Sequence, residues 1–210
     1  MNAPNDSSQN DNDITLQSYQ NKTQAYIDGT PPVDDALKAW IDECLKMISA
    51  HGKILEIGSG FGRDAEYIQQ RGYDIECSDA VPNFVEELRR KGFKARMLNV
   101  LNGEIDGMYD MVFADAVLLH FSPEQAADVA RKIHAALNDN GLFALRVKKG
   151  DGATWTDAKL GEPRYFYYWQ PDDLREMLAD CGFKWQDMAE SHTSHNNADW
   201  MGVIVRKLPA

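Results

Sequence analysis

The segment Ile54-Leu55-Glu56-Ile57-Gly58-Ser59-Gly60-Phe61-Gly62-Arg63-Asp64 constrains the fold more than any other part of this chain. Its apolar start suits a strand buried on both faces. The glycines that follow permit a tight turn and close approach of the backbone to a ligand. A helix opening near Arg63-Asp64 leaves its first N–H groups unpaired. Strand, glycine turn and helix in that order form the first unit of an open α/β sheet, where ligands bind at the carboxyl ends of the strands. Glu56 stands at the end of the first strand and Asp79 at the end of the next. A carboxylate at the second position is placed to accept hydrogen bonds from ribose hydroxyls. The pair therefore reads as a nucleoside site.

The rest of the chain alternates in the same way. Strand patterns fall at 53–57, 73–79, 93–98, 109–114 and 142–148, with helices at 64–70, 82–91, 123–137 and 171–181 between and after them. Ser122-Pro123-Glu124-Gln125 has capping-box form, with proline at the first helical position. Asn138-Asp139-Asn140-Gly141 reads as a turn before the fifth strand. Residues 149–170 show no clear period, and loops of that length are usually functional or mobile. Two final strands, 183–188 and 200–207, are joined by a polar loop. Alternating strands and helices imply a doubly wound parallel sheet, and the ending adds an antiparallel strand. Upstream, Leu37, Trp40, Ile41, Cys44, Leu45 and Ile48 recur at helical spacing until Gly52. The expected organisation is one domain over 14–210, with 14–50 as a helical lid carrying Tyr19 and Tyr26. Residues 1–13 are too polar to offset the entropy of ordering, so a disordered tail is expected.

A net charge of −11 disfavours nucleic-acid phosphates and anionic membranes as partners and favours a small molecule. No apolar run approaches the ~20 residues of a membrane span, and the N-terminus lacks signal-peptide character. A cytoplasmic protein is expected. Cys44, Cys77 and Cys181 have no metal-ligand spacing and read as small buried hydrophobes. His192 and His195 lack a third ligand, so no metal is expected.

Two cofactor classes could use the glycine turn. A dinucleotide oxidoreductase needs a third glycine where Arg63 stands, and its pyrophosphate would suffer from Glu56. A carboxylate there suits a cationic group, such as the ammonium of an amino acid. At this point the chain resembles the class I S-adenosylmethionine-dependent methyltransferases. The resemblance rests on LEIGSGFGRDAEYI, IECSDAVPNFVEEL, MLNV, YDMVFADAVLLHF, LNDNGLFALRVKKG and WQPDDLREMLADCGF. It implies a Rossmann-like seven-stranded sheet ordered 3-2-1-4-5-7-6 with strand 7 antiparallel, and S-adenosylmethionine as cofactor. It also implies Gly58, Ser59 and Gly60 beside the methionine part, with Glu56 toward its amino end. Asp79 would hold the ribose, and Ala80, Val81, Asn99 and Val100 would lie around the adenine. Asp115 and Ala116 would line the methionine side. Asn99 stands where the family often has aspartate, and its amide oxygen still accepts a hydrogen bond.

Arg63 pairs either a ligand carboxylate or a neighbouring Asp64 or Glu66. Tyr19 is a candidate cofactor contact from the lid. A substrate O–H or N–H⁺ nucleophile needs a base, and His120, after the fourth strand, is the candidate. Its alternative is simple packing before Ser122. Arg146, Lys148 and Lys149 end the fifth strand at the ligand edge, and the run Arg164-Tyr165-Phe166-Tyr167-Tyr168-Trp169 falls where such enzymes cover the site. Arg146, Arg164, Tyr165 and Tyr168 are the candidate acceptor contacts. No N/D-P-P-Y/F motif follows the fourth strand. The reading is a methyltransferase acting on a small molecule. A cofactor-binding protein without transferase activity and an NAD(P)-dependent oxidoreductase are the alternatives.

Overall fold

The computed structural model describes residues 7–193 and 197–208. The seven-stranded sheet is built from β1 (Ile54–Ile57), β2 (Ile75–Asp79), β3 (Lys94–Met97), β4 (Tyr109–Asp115), β5 (Leu137–Lys148) and, from the end of the chain, β8 (Phe183–Thr193) and β9 (Ala198–Lys207). Its order is β3-β2-β1-β4-β5-β9-β8. β1 to β5 are parallel, and β9 runs antiparallel between β5 and β8. This is the expected order, with the last two strands renumbered because the hairpin β6 (Gly152–Thr156) and β7 (Arg164–Tyr168) precedes them. The topology reverses between β1 and β4, so the carboxyl ends of β1, β2 and β4 form the crevice in which such sheets bind ligands.

Helices cover both faces. α3 (Asp35–Lys46), α4 (Arg63–Gln70) and α5 (Pro82–Arg90) bury Leu37, Trp40, Ile41, Ile68 and Leu88 against Ile54, Met111 and Phe113. On the other face, α6 (Pro123–Ala136) and α7 (Pro171–Asp180) bury Val129, Ile133, Leu174 and Leu178 against Leu55, Val112 and Phe143. The strand period of two sorts Leu55 and Ile57 to one face and Ile54 and Glu56 to the other. The capping box is formed at Ser122 and Gln125. All three cysteines are free and buried.

Several expectations change. Leu137 pairs with Tyr109, and the ladder shifts register before Met111. The turn at 138–141 is thereby drawn into β5, with Asn140 in the left-handed region (φ 62°). The supposed polar loop before the last strand is largely paired, because β8 and β9 continue from Phe183↔Lys207 to Thr193↔Ala198. The unperiodic segment 149–170 holds the β6–β7 hairpin; its aromatic run hid a strand in which Arg164 and Phe166 are buried.

The expected disordered tail is also corrected. Residues 1–6 lie outside the described residues, but α1 (Ser7–Asn21) is helical through the rest of it. Asn12, Thr15 and Ser18 are buried in spite of their polarity. Hydrogen bonds hold them: Asn99 Nδ2 donates to Asn12 Oδ1 (3.1 Å), the Tyr165 N–H to Thr15 Oγ1 (3.0 Å), and Ser18 Oγ to the Pro163 carbonyl (2.7 Å). Composition weighs apolar surface only and cannot register such an anchor. α2 (Thr23–Asp28) completes the N-terminal cover.

Gly202 in β9 lies directly under Trp40, and an added Cβ would sit 2.8 Å from the indole. Both Trp40 and the strand are buried, so neither side gives way. Gly202→Ala is expected to destabilise the protein by about 1–3 kcal/mol, the usual cost of overpacking, read as a lowered urea midpoint at unchanged m-value.

Candidate active site

The glycine turn after β1 places three carboxyl groups, Glu56, Asp64 and Asp115, on the floor of the crevice, all buried or nearly so. Asp115, at the end of β4, accepts from Arg63 Nη2 (2.8 Å) and from Arg146 Nη1 (3.0 and 3.2 Å). Arg63 also donates through Nε to Asp64 (2.7 Å) and through Nη2 (3.0 Å). Among the described residues Glu56 has no ion pair of its own. Burial, with the neighbouring Asp64 charge, pushes its pKa well up from the ordinary carboxylate range. Asp115 is raised chiefly by burial, against the pull of Arg146 and Arg63. The floor thus sets three carboxyl groups against two guanidiniums, and the raised pKa of Glu56 keeps it protonated in the ligand-free site. A cationic ligand group would draw that carboxyl to its charged form.

One edge of the turn is fixed by Asp79. Its two oxygens accept from the Gly60 and Val81 N–H groups, each at 2.8 Å. Burial raises its pKa to about 6, opposed by those backbone bonds. Gly58 and Gly60 take left-handed backbone (φ 67° and 54°), and a Cβ on Gly58 would lie 2.5 Å from Val117 Cγ2. Ala116 is held at φ 59° without being glycine; strain of this kind gathers at functional sites.

Above the turn is a cleft partly open to solvent, where the carboxyl ends of the strands meet the N-terminal cover. It is lined on the sheet side by Ile57, Gly58, Gly60, Asp79, Ala80, Val81, Asn99, Val100, Asp115 and His120, and on the lid side by Asn12, Thr15, Leu16, Tyr19 and Tyr26.

His120 and Tyr19 form one unit. His120 Nδ1 lies 2.6 Å from the Tyr165 carbonyl, which only accepts, so Nδ1 carries the hydrogen. Nε2 is then an acceptor and faces the Tyr19 hydroxyl at 3.0 Å. Arg164 Nη1 donates to that hydroxyl (3.1 Å). Burial drives the His120 pKa down to about 3, aided by the Arg164 and Lys148 charges and opposed by the Tyr165 carbonyl. The imidazole is neutral, and the same burial and charges make it a weak base in the ligand-free site. Burial raises the Tyr19 pKa, and Arg164 draws it back.

The sequence-derived candidates separate clearly. Tyr19, Gly58, Gly60, Asp79, Ala80, Asn99, Val100, Asp115 and His120 meet at one cleft. Glu56 and Ser59 lie beneath it, where Ser59 Oγ donates to the Glu56 carbonyl (3.3 Å). Arg63 is turned to Asp64 and Asp115. Asn99 Oδ1 already accepts from the Leu101 N–H (3.1 Å), which leaves one lone pair free. Arg146 was a candidate for binding an acceptor anion; instead it is committed to Asp115 and stacks on Trp200 at 4.3 Å. A buried carboxylate needs a buried cation, and Arg146 supplies it. Arg164 acts on Tyr19, Tyr165 offers its carbonyl to His120, and Tyr168 packs against the Lys148 side chain (5.8 Å). His192 pairs with Asp199 (2.8 Å), and His195 lies outside the described residues. The reading from sequence missed Asn12, Thr15, Leu16 and Phe84 as lining residues. Asn12, Thr15, Leu16 and Tyr19 have i, i+3, i+4, i+7 spacing, a helical face that was legible but too polar to read as buried.

A family model described as a methyltransferase domain matches residues 32–187. No curated protein matches the sequence. Among solved structures, the chain is similar to Burkholderia thailandensis 1,6-didemethyltoxoflavin-N1-methyltransferase with bound 1,6-didemethyltoxoflavin and S-adenosylhomocysteine (TM-score 0.76, 19% identity, 100% of this chain and 94% of that one). It is similar to DhpI in its SAH complex (TM-score 0.79, 18% identity, 97% and 100%). It is also similar to the CcbJ methyltransferase from Streptomyces caelestis (TM-score 0.71, 16% identity, 91% and 98%). At these identities the likeness is one of fold.

Removing Asp115 leaves the buried Arg146 guanidinium without its anion, while Arg63 keeps Asp64. Asp115→Ala is expected to cost about 3–5 kcal/mol, the usual penalty for breaking a buried pair from one side, measured by urea unfolding of the ligand-free protein.

Proposed function

The chain belongs to the methyltransferase domain family, and from that premise we propose that it transfers a methyl group from S-adenosylmethionine to a small-molecule acceptor. The observation that carries this reading is the placement of Asp79 and the acid floor on opposite sides of the glycine turn. Asp79 suits ribose hydroxyls. The floor of Glu56, Asp64 and Asp115 suits the cationic end of the methionine part. A pyrophosphate at the same turn would face those carboxylates, which disfavours a nicotinamide dinucleotide.

The residues present fit the cofactor. Asp79 would hold the ribose, and Gly58 and Gly60 would let the backbone approach the methionine part, with Glu56 and Asp115 near its charged end. Ala80, Val81 and Val100 give an apolar adenine wall, and Asn99 Oδ1 has one acceptor position for its amino group. When bound, the cofactor supplies a methyl group already activated on a sulfonium. The protein's own part is to align the acceptor, exclude water and manage its proton. His120 Nε2 would take that proton by way of the Tyr19 hydroxyl once the charge of a bound acceptor offsets the Arg164 and Lys148 cations that, with burial, hold the imidazole neutral. Arg164 holds the hydroxyl in place, and the Tyr165 carbonyl fixes the ring.

Calorimetry on the full chain should show S-adenosylhomocysteine binding and no NAD(P) binding. The reverse pattern would overturn the reading. Hydrogen bonds to a charged group contribute about 1.5–3 kcal/mol each, so Asp79→Ala is expected to weaken S-adenosylhomocysteine binding by roughly 10- to 100-fold. Parental affinity in that variant would remove the ribose assignment.

The same carboxyl gives a pH dependence. Its pKa is about 6 in the ligand-free site. Hydrogen bonds from ribose hydroxyls favour the charged form and so lower that pKa on binding. Below about pH 6 binding must therefore expel a proton, and affinity should fall by up to about tenfold per pH unit as the solution is acidified. Above pH 6 the Asp79 contribution should be flat. Titrations of S-adenosylhomocysteine across this range, repeated with Asp79→Asn, isolate it.

A further inference from the structure

Around the wall formed by Tyr19, Tyr26 and His120 stand three cations that the proposed reaction leaves partly unused: Lys148, Lys159 and Arg164. Their neighbours are all matched. Lys149 is ion-paired with Glu190, Arg146 with Asp115, and Arg63 with both Asp64 and Asp115. Among the described residues none of these three has an ion pair.

Two of them share one ring behind the cleft wall, and the third stands at Tyr26. Lys148 Nζ lies 4.4 Å from the centre of the Phe166 ring, and the Arg164 guanidinium lies 5.1 Å from the same ring. Phe166 itself packs on His120 at 4.7 Å. Lys159 Nζ lies 4.1 Å from the centre of Tyr26, a residue of the cleft, and donates to Thr30 Oγ1 at 2.8 Å. Arg164 is buried, and its Nε is a buried donor with no partner. Lys148 is half-buried and Lys159 exposed, so the charges run from the surface toward the cleft wall. The Lys159 pKa falls to about 8, first through partial burial of its ammonium and then through Arg164, Arg63 and Lys148; that of Lys148 falls through burial and Arg164. The group is therefore cationic at some cost, inside a chain of net charge −11. A structural role would supply carboxylates for it. This chain has them in plenty and places none there among the described residues.

We propose that Lys148, Lys159 and Arg164 form the acceptor subsite and that the acceptor is a small molecule bearing an oxyanion, a carboxylate or a phosphate-like group. This rests on the methyltransferase reading and adds the class of acceptor to it. The cleft is then divided by sign. The acid floor takes the cationic end of the cofactor, and the cationic side takes the acceptor's anion. Aromatic faces of Phe166 and Tyr26 back all three charges and cannot neutralise them, whereas an oxyanion can. Seated there, the anion leaves the rest of the acceptor to reach the Tyr19 hydroxyl and His120 Nε2.

The test uses the full chain and two probes, inorganic phosphate and acetate. Each is titrated by NMR into protein saturated with S-adenosylhomocysteine, and S-adenosylhomocysteine affinity is measured in the same samples. The expected result is saturable binding of at least one probe, with shifts grouped around Tyr26, His120 and Phe166. Lys148→Met/Lys159→Met should weaken that binding about tenfold or more, while S-adenosylhomocysteine affinity changes less than about twofold. Retained cofactor affinity shows that the variant is folded. Tighter phosphate than acetate assigns a tetrahedral oxyanion, and the reverse assigns a carboxylate. Probe binding that is absent, scattered over the surface or equal in the variant overturns the subsite. Loss of S-adenosylhomocysteine binding by the parent protein would instead overturn the cofactor reading, so the two failures are told apart.

Discussion

Asp115 is the residue on which the geometry of the site depends. It ends a buried strand and cannot be solvated, so its charge must be met by protein cations. Two arrive from separate elements, Arg63 from the first turn of α4 and Arg146 from β5. This ties the helix after the glycine turn and the strand beyond β4 to a single point. Buried ion groups of this kind lose much of their attraction to desolvation. The trio therefore fixes position more than it adds stability. It also settles what the arginines cannot do. With both committed to Asp115, neither pairs with Glu56 among the described residues, and its raised pKa keeps it a neutral acid that a cationic ligand group can ionise.

That acidity explains why a glycine turn of this general kind does not serve a pyrophosphate here. The exposed N–H groups of a helix start normally invite anions. Here α4 carries Arg63 and Asp64 at its start, and their mutual pairing places a carboxylate where a phosphate would otherwise approach. The local sequence changes the sign of ligand that the same backbone favours. Asp79 does a related thing at the next strand. By accepting from Gly60 and Val81 it shapes the turn, and it also presents an acceptor that only donor groups such as ribose hydroxyls can use.

Much of this was legible before any coordinates, for a physical reason. Buried parallel strands read as short apolar runs, and the turn that follows each must carry glycine or a capping residue, so β1, β2, β4 and the helices after them stand out in the sequence. Asp79 lines the cleft and Glu56 lies beneath it, because each sits at the carboxyl end of a strand that the pattern marks. What was hidden depends on distant partners. Arg146 looks like a free cation at a strand end until Asp115 is seen beside it. Residues 11–19 look soluble until Asn99, Tyr165 and Pro163 supply hydrogen bonds from the far side of the cleft. The β6–β7 hairpin was obscured because Arg164 to Tyr168 are nearly all aromatic and show no alternation of polarity. Their alternation is in burial alone.

The polar anchoring of α1 has a consequence for the chemistry of the cleft. Apolar burial holds the sheet and its helices, but the cover over the cleft rests largely on hydrogen bonds, each contributing only about 0.5–1.5 kcal/mol net because water competes for the same groups. Segments held in that way are the ones that separate from a fold at least cost. The helix so held carries Tyr19, and Tyr19 is the partner of His120 Nε2. The hydroxyl that faces His120 Nε2 is therefore part of the cover of the cleft. An acceptor that draws Arg164 and the β6–β7 hairpin toward the cofactor also secures α1, since Arg164 bonds Tyr19 and the neighbouring Tyr165 bonds both Thr15 and His120. The residues proposed to recognise the acceptor and those proposed to manage its proton are joined by direct hydrogen bonds, so in that reading the two tasks rest on the same contacts.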